Sequence, residues 1–251
     1  MGKKKDSLEL YFHIPFCIKK CDYCDFLSGP ATRAGQEAYI YALLREMKAV
    51  SAIEKRTVDT VFIGGGTPSV PECGIMEKLL QGIGKNFQLA ADAEVTIEAN
   101  PGTLTPEKLA LYRRYGINRI SIGLQSPENQ ELRALGRIHN YQQFLESYHM
   151  AREAGFSNIN IDLMFAIPGQ SYEGWIQNLR TVAKLGPEHI SAYSLIIEEG
   201  TPFSARKLDL PDEDTEYRMY EDVAAVLGKY GYYQYEISNY AKKDRNCRHN
   251  E

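Results

Sequence analysis

Residues 58–69 read VDTVFIGGGTPS: an apolar, β-branched run from Val58 to Ile63 that breaks at Gly64, Gly65, Gly66, Thr67 and Pro68. Such a run predicts a strand, and the glycines predict a turn at its carboxyl end. The pattern recurs in both directions. Upstream, Leu8–Ile14 reads as a strand ending at Pro15, and Gln36–Ile53 carries Tyr39, Leu43, Met47 and Val50 at helical spacing. Downstream, 72–87 has helical period, Glu94–Glu98 is a strand stopping at Asn100-Pro101-Gly102, and Thr105 opens a helix. Arg119–Gly123 is the next strand, Tyr141–Ala154 a helix, and Asn158–Phe165 a strand ahead of Pro168-Gly169. A helix through Trp175 and Val182 leads to a sixth strand at His189–Leu195. Strands alternating with helices imply parallel βαβ units with right-handed crossovers. The expected fold is therefore α/β, a partial (β/α)6 TIM-like barrel over residues 1–199. Pro211–Asp214 opens a last helix to about Tyr230, and GYYQYEISNYA has a strand-like middle, so residues 200–251 read as a short α+β C-terminal appendage.

Composition narrows the function classes. The 251 residues are 43% hydrophobic and 25% charged, the proportions of a folded globular protein. A net charge of -4 gives no electrostatic reason to expect nucleic acid or an acidic membrane. No run approaches the roughly 18 apolar residues of a spanning helix. The opening MGKKKDSLELYFHIPF fails as a secretory signal, because Glu9 and His13 interrupt its apolar region and no small-residue cleavage site follows, and Asp6 stands where a myristoylation signal has Ser or Thr, so the cytoplasm is expected. Five cysteines, three of them within eight residues, do not suit a disulfide framework and point to a metal site.

Those three are Cys17, Cys21 and Cys24 in HIPFCIKKCDYCDF, close enough for one loop to turn the thiolates toward a common centre. Thiolates select zinc or iron–sulfur clusters. A structural site is closed by four protein ligands, whereas three ligands leave a metal position open for something that reacts. A zinc site with His13, Cys247 or His249 as fourth ligand stands as the alternative. Cys73, early in a helix, reads as a small buried side chain.

The C-x-x-x-C-x-x-C spacing directly after a first strand resembles the signature of the radical S-adenosylmethionine (SAM) superfamily. YFHIPFC, VFIGGGTPS, EVTIEANPGT, INRISIGLQS, LGRIHN, INIDLMFAIPGQ, HISAYSLIIEEGT and QYEISNYA together are similar to the oxygen-independent coproporphyrinogen oxidase family in its broad sense. The resemblance implies that Cys17, Cys21 and Cys24 bind three irons of a [4Fe-4S] cluster while SAM chelates the fourth. It implies reductive SAM cleavage to methionine and a 5'-deoxyadenosyl radical, driven by an electron donor such as a flavodoxin or ferredoxin. Tyr23 matches the aromatic residue at the adenine. Gly65, Gly66 and Thr67 let backbone approach the methionine end of SAM, and Glu98 is the candidate acceptor of its amino group. Gln125, Arg137 and Asp162 match polar positions that contact SAM atoms, mostly at a second SAM site, and Tyr11 matches a strand tyrosine near the first.

Two branches of the family share this machinery: oxidases acting on porphyrinogen propionates, and heme chaperones that bind heme and pass it to an acceptor protein. The oxidase pattern has a fourth cysteine two places after the third; here that residue is Phe26. Only sixteen residues precede Cys17, again as in the chaperone branch. The expectation is the chaperone, with the oxidase as alternative. His139, His149, His189, Cys247 and His249 are the candidate heme ligands outside the cluster. The last residues, CRHNE, resemble the start of a CxHNxxYW-type segment, after which the resemblance implies roughly a hundred further residues.

Overall fold

The computed structural model describes residues 7–251; the reading of MGKKKD lies outside them. In chain order the elements are β1 (Leu8–Ile14), α1 (Arg33–Ile53), β2 (Val58–Gly65), α2 (Cys73–Asn86), β3 (Leu89–Ala99), α3 (Pro106–Arg114), β4 (Arg119–Gln125), α4 (Asn129–Ala134), α5 (Tyr141–Glu153), β5 (Ile159–Phe165), α6 (Tyr172–Leu185), β6 (His189–Ser194), α7 (Glu213–Gly228), β7 (Tyr233–Glu236) and β8 (Asn239–Ala241). The strands form one open sheet in the order β1-β2-β3-β4-β5-β6-β8-β7. β1 to β6 pair in parallel, and β8 and β7 extend the sheet antiparallel. This is the partial barrel expected from the alternation. The expected α+β appendage is α7 with the β7–β8 hairpin, which continues the barrel's own sheet.

Period-two alternation gives the strands two faces. Outward residues such as Phe12, Ile14, Val61, Ile63, Ile120, Ile122, Ile159 and Ile161 are buried against the helices in one large core. Inward residues are polar: Glu94, Thr96 and Glu98 on β3, Arg119 and Ser121 on β4, Asn160 and Asp162 on β5, and His189, Ser191 and Tyr193 on β6. An interior this polar holds together only where its groups find hydrogen-bond partners. The helices start where the sequence supplies side-chain acceptors: Thr32, Thr105, Asn140, Ser171 and Asp212 each cap a helix. Asn140 and Gln143 form a reciprocal capping box, with bonds of 2.9 Å and 3.0 Å. Asn140→Ala is expected to lower stability by about 1 kcal/mol, read as a lower urea midpoint with an unchanged slope. Trp175, fully buried, ties α6 to α7 by donating to the Met219 carbonyl at 3.0 Å. Among the described residues no helix is long and apolar enough to cross a membrane.

Candidate functional site

The carboxyl ends of β1 to β6 open onto a cleft of about 810 Å³, the end where ligand sites of βα barrels collect. Its wall includes Cys17, Cys21, Tyr23 and Cys24 from the loop after β1, Gly65, Gly66 and Thr67 from the end of β2, and Glu98 from β3. Gln125, Arg137 and Asp162 line the far side. Eleven sequence-derived candidates thus meet in one place. Tyr11 does not line the cleft: 53% exposed, it stacks on Phe62 and His249, with its hydroxyl 3.4 Å from His13 Nδ1.

The cysteine loop is held at both ends. Its base closes where the Cys17 N–H donates to the Gly29 carbonyl and the Gly29 N–H to the Pro15 carbonyl. The Cys24 N–H donates to the Cys21 carbonyl at 3.2 Å, a turn that brings the second and third thiols round together. From the far side of the chain, Arg206 pairs with Asp22 at 2.7 Å, the Phe203 N–H donates to the Asp22 carbonyl, and the Phe203 ring lies 6.3 Å from that of Tyr23. None of the three thiols is in a disulfide. Thr67 Oγ1 donates to Cys17 Sγ at 3.7 Å, and the Arg137 guanidinium to Cys21 Sγ at 3.5 Å. Both contacts fix the orientation of these two side chains. Arg137 also donates to the Gly123 carbonyl and Asn100 Oδ1, each at 2.8 Å, which fixes it at the back of the cleft.

The glycine run has a local reason. Gly65 sits at φ +114°, and a Cβ there would come within 2.6 Å of the His13 ring. A Cβ on Gly66 would lie 2.9 Å from the Phe16 carbonyl, so glycine lets the start of the cysteine loop fold onto the end of β2. The N–H groups here already have partners: Gly65 donates to Glu98 Oε2 at 3.0 Å, Gly66 to the Ile14 carbonyl and Thr67 to the Phe16 carbonyl.

Glu98 is deeply enclosed. Burial, and then the charge of Asp162, push its carboxyl up to about 7, against the opposing pull of the Gly65 N–H and of Arg119. Burial also raises Asp162, opposed by hydrogen bonds from Asn160 and Ser121 and by the charge of Arg119. Arg119, 2% exposed on the barrel floor, is therefore the cation that tempers both carboxyls. Gln125 adopts φ +74°, a left-handed conformation rare for a non-glycine residue, and its Oε1 accepts from the Tyr193 hydroxyl at 2.8 Å. Tyr193, Asn100 and Gly123 line the cleft without having been singled out from the sequence. Tyr193 was legible as the third inward position of HISAY, after His189 and Ser191.

The alternative fourth ligands of a zinc site are engaged elsewhere. His13 Nε2 meets the Leu27 carbonyl at 2.9 Å, Cys247 is buried against Glu94, and His249 Nδ1 lies 2.8 Å from Thr60 Oγ1. Among the described residues no three His, Cys, Asp or Glu side chains converge on a single ion. Of the other histidines, His139 is buried with Nε2 on the Leu124 carbonyl, and burial and Arg137 hold it neutral, near 3. His149 is exposed on α5, edge-on to Tyr148.

Residues 11–182 match the Radical SAM superfamily, and the chain belongs to that superfamily. The chain is 43% identical over 249 residues to the heme chaperone HemW of Escherichia coli (strain K12), covering 98% of this chain and 66% of that protein. It is 40% identical over 253 residues to the heme chaperone HemW of Haemophilus influenzae, with the same coverage. The chain thus spans just under two thirds of the length of these curated relatives. Among solved structures, coproporphyrinogen III oxidase (HemN) from Escherichia coli, described as a radical SAM enzyme, superposes with a TM-score of 0.88 at 30% identity, over 95% of this chain and 56% of that one. SuiB of Streptococcus suis bound to S-adenosylmethionine shares the fold, with a TM-score of 0.62 at 17% identity over 89% of this chain and 48% of that one.

Proposed function

We propose that the chain holds a [4Fe-4S] cluster and SAM in this cleft and carries heme to an acceptor protein, as a heme chaperone of the radical SAM type. The donor set suits the cluster: three free thiols on one clamped loop, two of them oriented by Thr67 and Arg137. A cluster places each thiolate on a different iron, which accords with thiols that border one cleft without converging on a single ion. Bound there, the cluster would supply an electron to the SAM sulfonium. Glu98, with the backbone of Gly65 and Gly66 beside it in the cleft wall, is the acceptor for the SAM ammonium, and Tyr23, Gln125 and Asp162 line the remaining wall. The reductant is a small electron carrier such as a flavodoxin or ferredoxin. The described part of residues 1–199, from Ser7 on, forms the radical SAM core, and Phe203 and Arg206 from the stretch beyond clamp its cysteine loop. The cytoplasm is the compartment that suits free loop thiols.

The observation that favours the chaperone is Phe26. It stands where the oxidase branch has a further cysteine, lines the cleft and is 68% exposed. Ile18 and Leu27 of the same loop, with Ile138 and Ile196, are also exposed. An exposed aromatic face in the cleft wall suits a porphyrin face. The second reading, an oxygen-independent coproporphyrinogen III oxidase, is favoured by the close superposition on HemN. Anaerobic reconstitution followed by heme titration and a coproporphyrinogen III assay decides between them. The chaperone reading expects saturable heme binding and no protoporphyrinogen; stoichiometric decarboxylation, lost in Cys21→Ala, would make this an oxidase.

A further inference from the structure

Behind Asp162 a chain of hydrogen bonds runs through the barrel interior to the last residues of the sequence. The Cys247 N–H donates to the Tyr235 hydroxyl oxygen at 3.0 Å. Tyr235 Oη lies 2.8 Å from His189 Nε2, His189 Nδ1 2.6 Å from Asn160 Oδ1, and Asn160 Nδ2 2.6 Å from Asp162 Oδ1. Asn160 Nδ2 also donates to Ser121 Oγ at 2.7 Å, and Ser121 donates to Asp162 Oδ2 at 3.1 Å.

The direction of every bond follows from its ends. The Asn160 amide nitrogen faces Asp162 Oδ1 and Ser121 Oγ, which leaves its amide oxygen facing His189. That oxygen can only accept, so His189 carries its proton on Nδ1 and presents Nε2 as an acceptor. Tyr235 must then donate to Nε2, which leaves its oxygen lone pairs for the Cys247 N–H. All the donors point toward the cleft. His189 is 0% exposed and Asn160 is 2% exposed, so an unsatisfied group anywhere along the line would be costly. Burial and the neighbouring Arg119 charge hold His189 neutral, as this pattern requires.

The far end is anchored by a second carboxylate. Glu94 Oε1 accepts from the Arg248 N–H at 3.0 Å and from Cys247 Sγ at 3.6 Å. None of His189, Tyr235 and Cys247 lies within residues 11–182, the stretch matched by the superfamily.

We infer that His189 and Tyr235 are positioning residues for Asp162: the segment that ends at Cys247 sets the orientation of a cleft carboxylate through one polarised hydrogen-bond chain. The inference rests on Asp162 being part of the SAM-binding wall. The chain from residue 235 to 247 is then a working part of the cleft, and seating or unseating it changes SAM affinity without touching any residue that lines the pocket.

The test uses the reconstituted full chain, with SAM as the titrant and histidine-selective ¹⁵N NMR. His189 is expected as a neutral Nδ1–H tautomer from about pH 6 to 8. Tyr235→Phe is expected to weaken SAM binding by about 3- to 10-fold, the size of one neutral hydrogen bond, with cluster content unchanged. In an Asp162→Ala background the same substitution should have no further effect, because the two act along one line. An Nε2–H tautomer, or Tyr235→Phe and Asp162→Ala effects that add, would overturn the inference. SAM affinity unchanged in Asp162→Ala with the Nδ1–H tautomer intact would instead refute the SAM role of Asp162, and the positioning role with it.

Discussion

Replacing Cys21 by Ala is expected to remove the cluster: iron after anaerobic reconstitution should drop from about four per chain to near zero, and the absorbance near 400 nm should vanish. A cluster held by three thiolates has no spare ligand. The described residues offer no replacement, because His13, Cys247 and His249 are each held by other partners. Cys21 lies in a surface loop outside the hydrophobic core, so the fold should persist with a thermal midpoint close to that of the parent. The same substitution leaves the Arg137 guanidinium without its sulfur partner while its bonds to Gly123 and Asn100 remain. Iron retained at parental levels in Cys21→Ala would mean that the three cysteines are not the ligand set.

Glu98→Gln is expected to produce two effects of opposite sign. Charge-assisted hydrogen bonds contribute about 1.5–3 kcal/mol, so loss of the carboxylate should weaken SAM binding by roughly 10- to 100-fold at pH 8. The carboxyl titrates near 7 because it is buried and faces Asp162. Above that pH it is ionised and attracts an ammonium. As the pH falls through 7 it takes up a proton and the attraction is lost, so SAM affinity of the parent should decline toward low pH while Glu98→Gln stays flat. Stability responds in the reverse direction. A carboxyl whose folded pKa lies above its unfolded value contributes stability that is full below about pH 4.5 and lost as the pH rises through 7. At pH 8 the ionised, buried Glu98 thus costs on the order of 3 kcal/mol, and Glu98→Gln should raise the thermal midpoint there. Calorimetric titrations and melts across about pH 5.5–8.5 check both signs; a variant that binds SAM as tightly as the parent would remove Glu98 from the site.

Much of this architecture was legible because period-two apolar runs and glycine turns are local signals. β1 through β6 follow the predicted strands, with β2 running on to Gly65 and β3 starting earlier, at Leu89. The cysteines, the glycine run and Glu98 were legible because strand ends in such a fold point to one place. What escaped depended on distance in sequence. α4 is six residues long, too short to show a helical period, and follows Ser126-Pro127, which reads as a turn. The β7–β8 hairpin was visible as a strand-like stretch, but its pairing with β6 is set by tertiary contact. Gly65 has in addition a local role that its neighbours in sequence do not show: its side-chain-free Cα accommodates His13, and its N–H holds Glu98. The clamp of Arg206 and Phe203 on the cysteine loop joins residues some 180 positions apart and has no local signature.

The central claim is that one cleft holds a cluster with an open iron and the SAM that completes it. The most direct measurement is the low-temperature EPR spectrum of the anaerobically reconstituted, reduced chain, recorded with and without SAM alongside iron and sulfide counts. Four irons and four sulfides per chain, with a [4Fe-4S]⁺ signal that changes on adding SAM and does not change in Glu98→Gln at the same SAM concentration, is the predicted result. One tightly bound zinc with no cluster, or a cluster signal indifferent to saturating SAM, would contradict it.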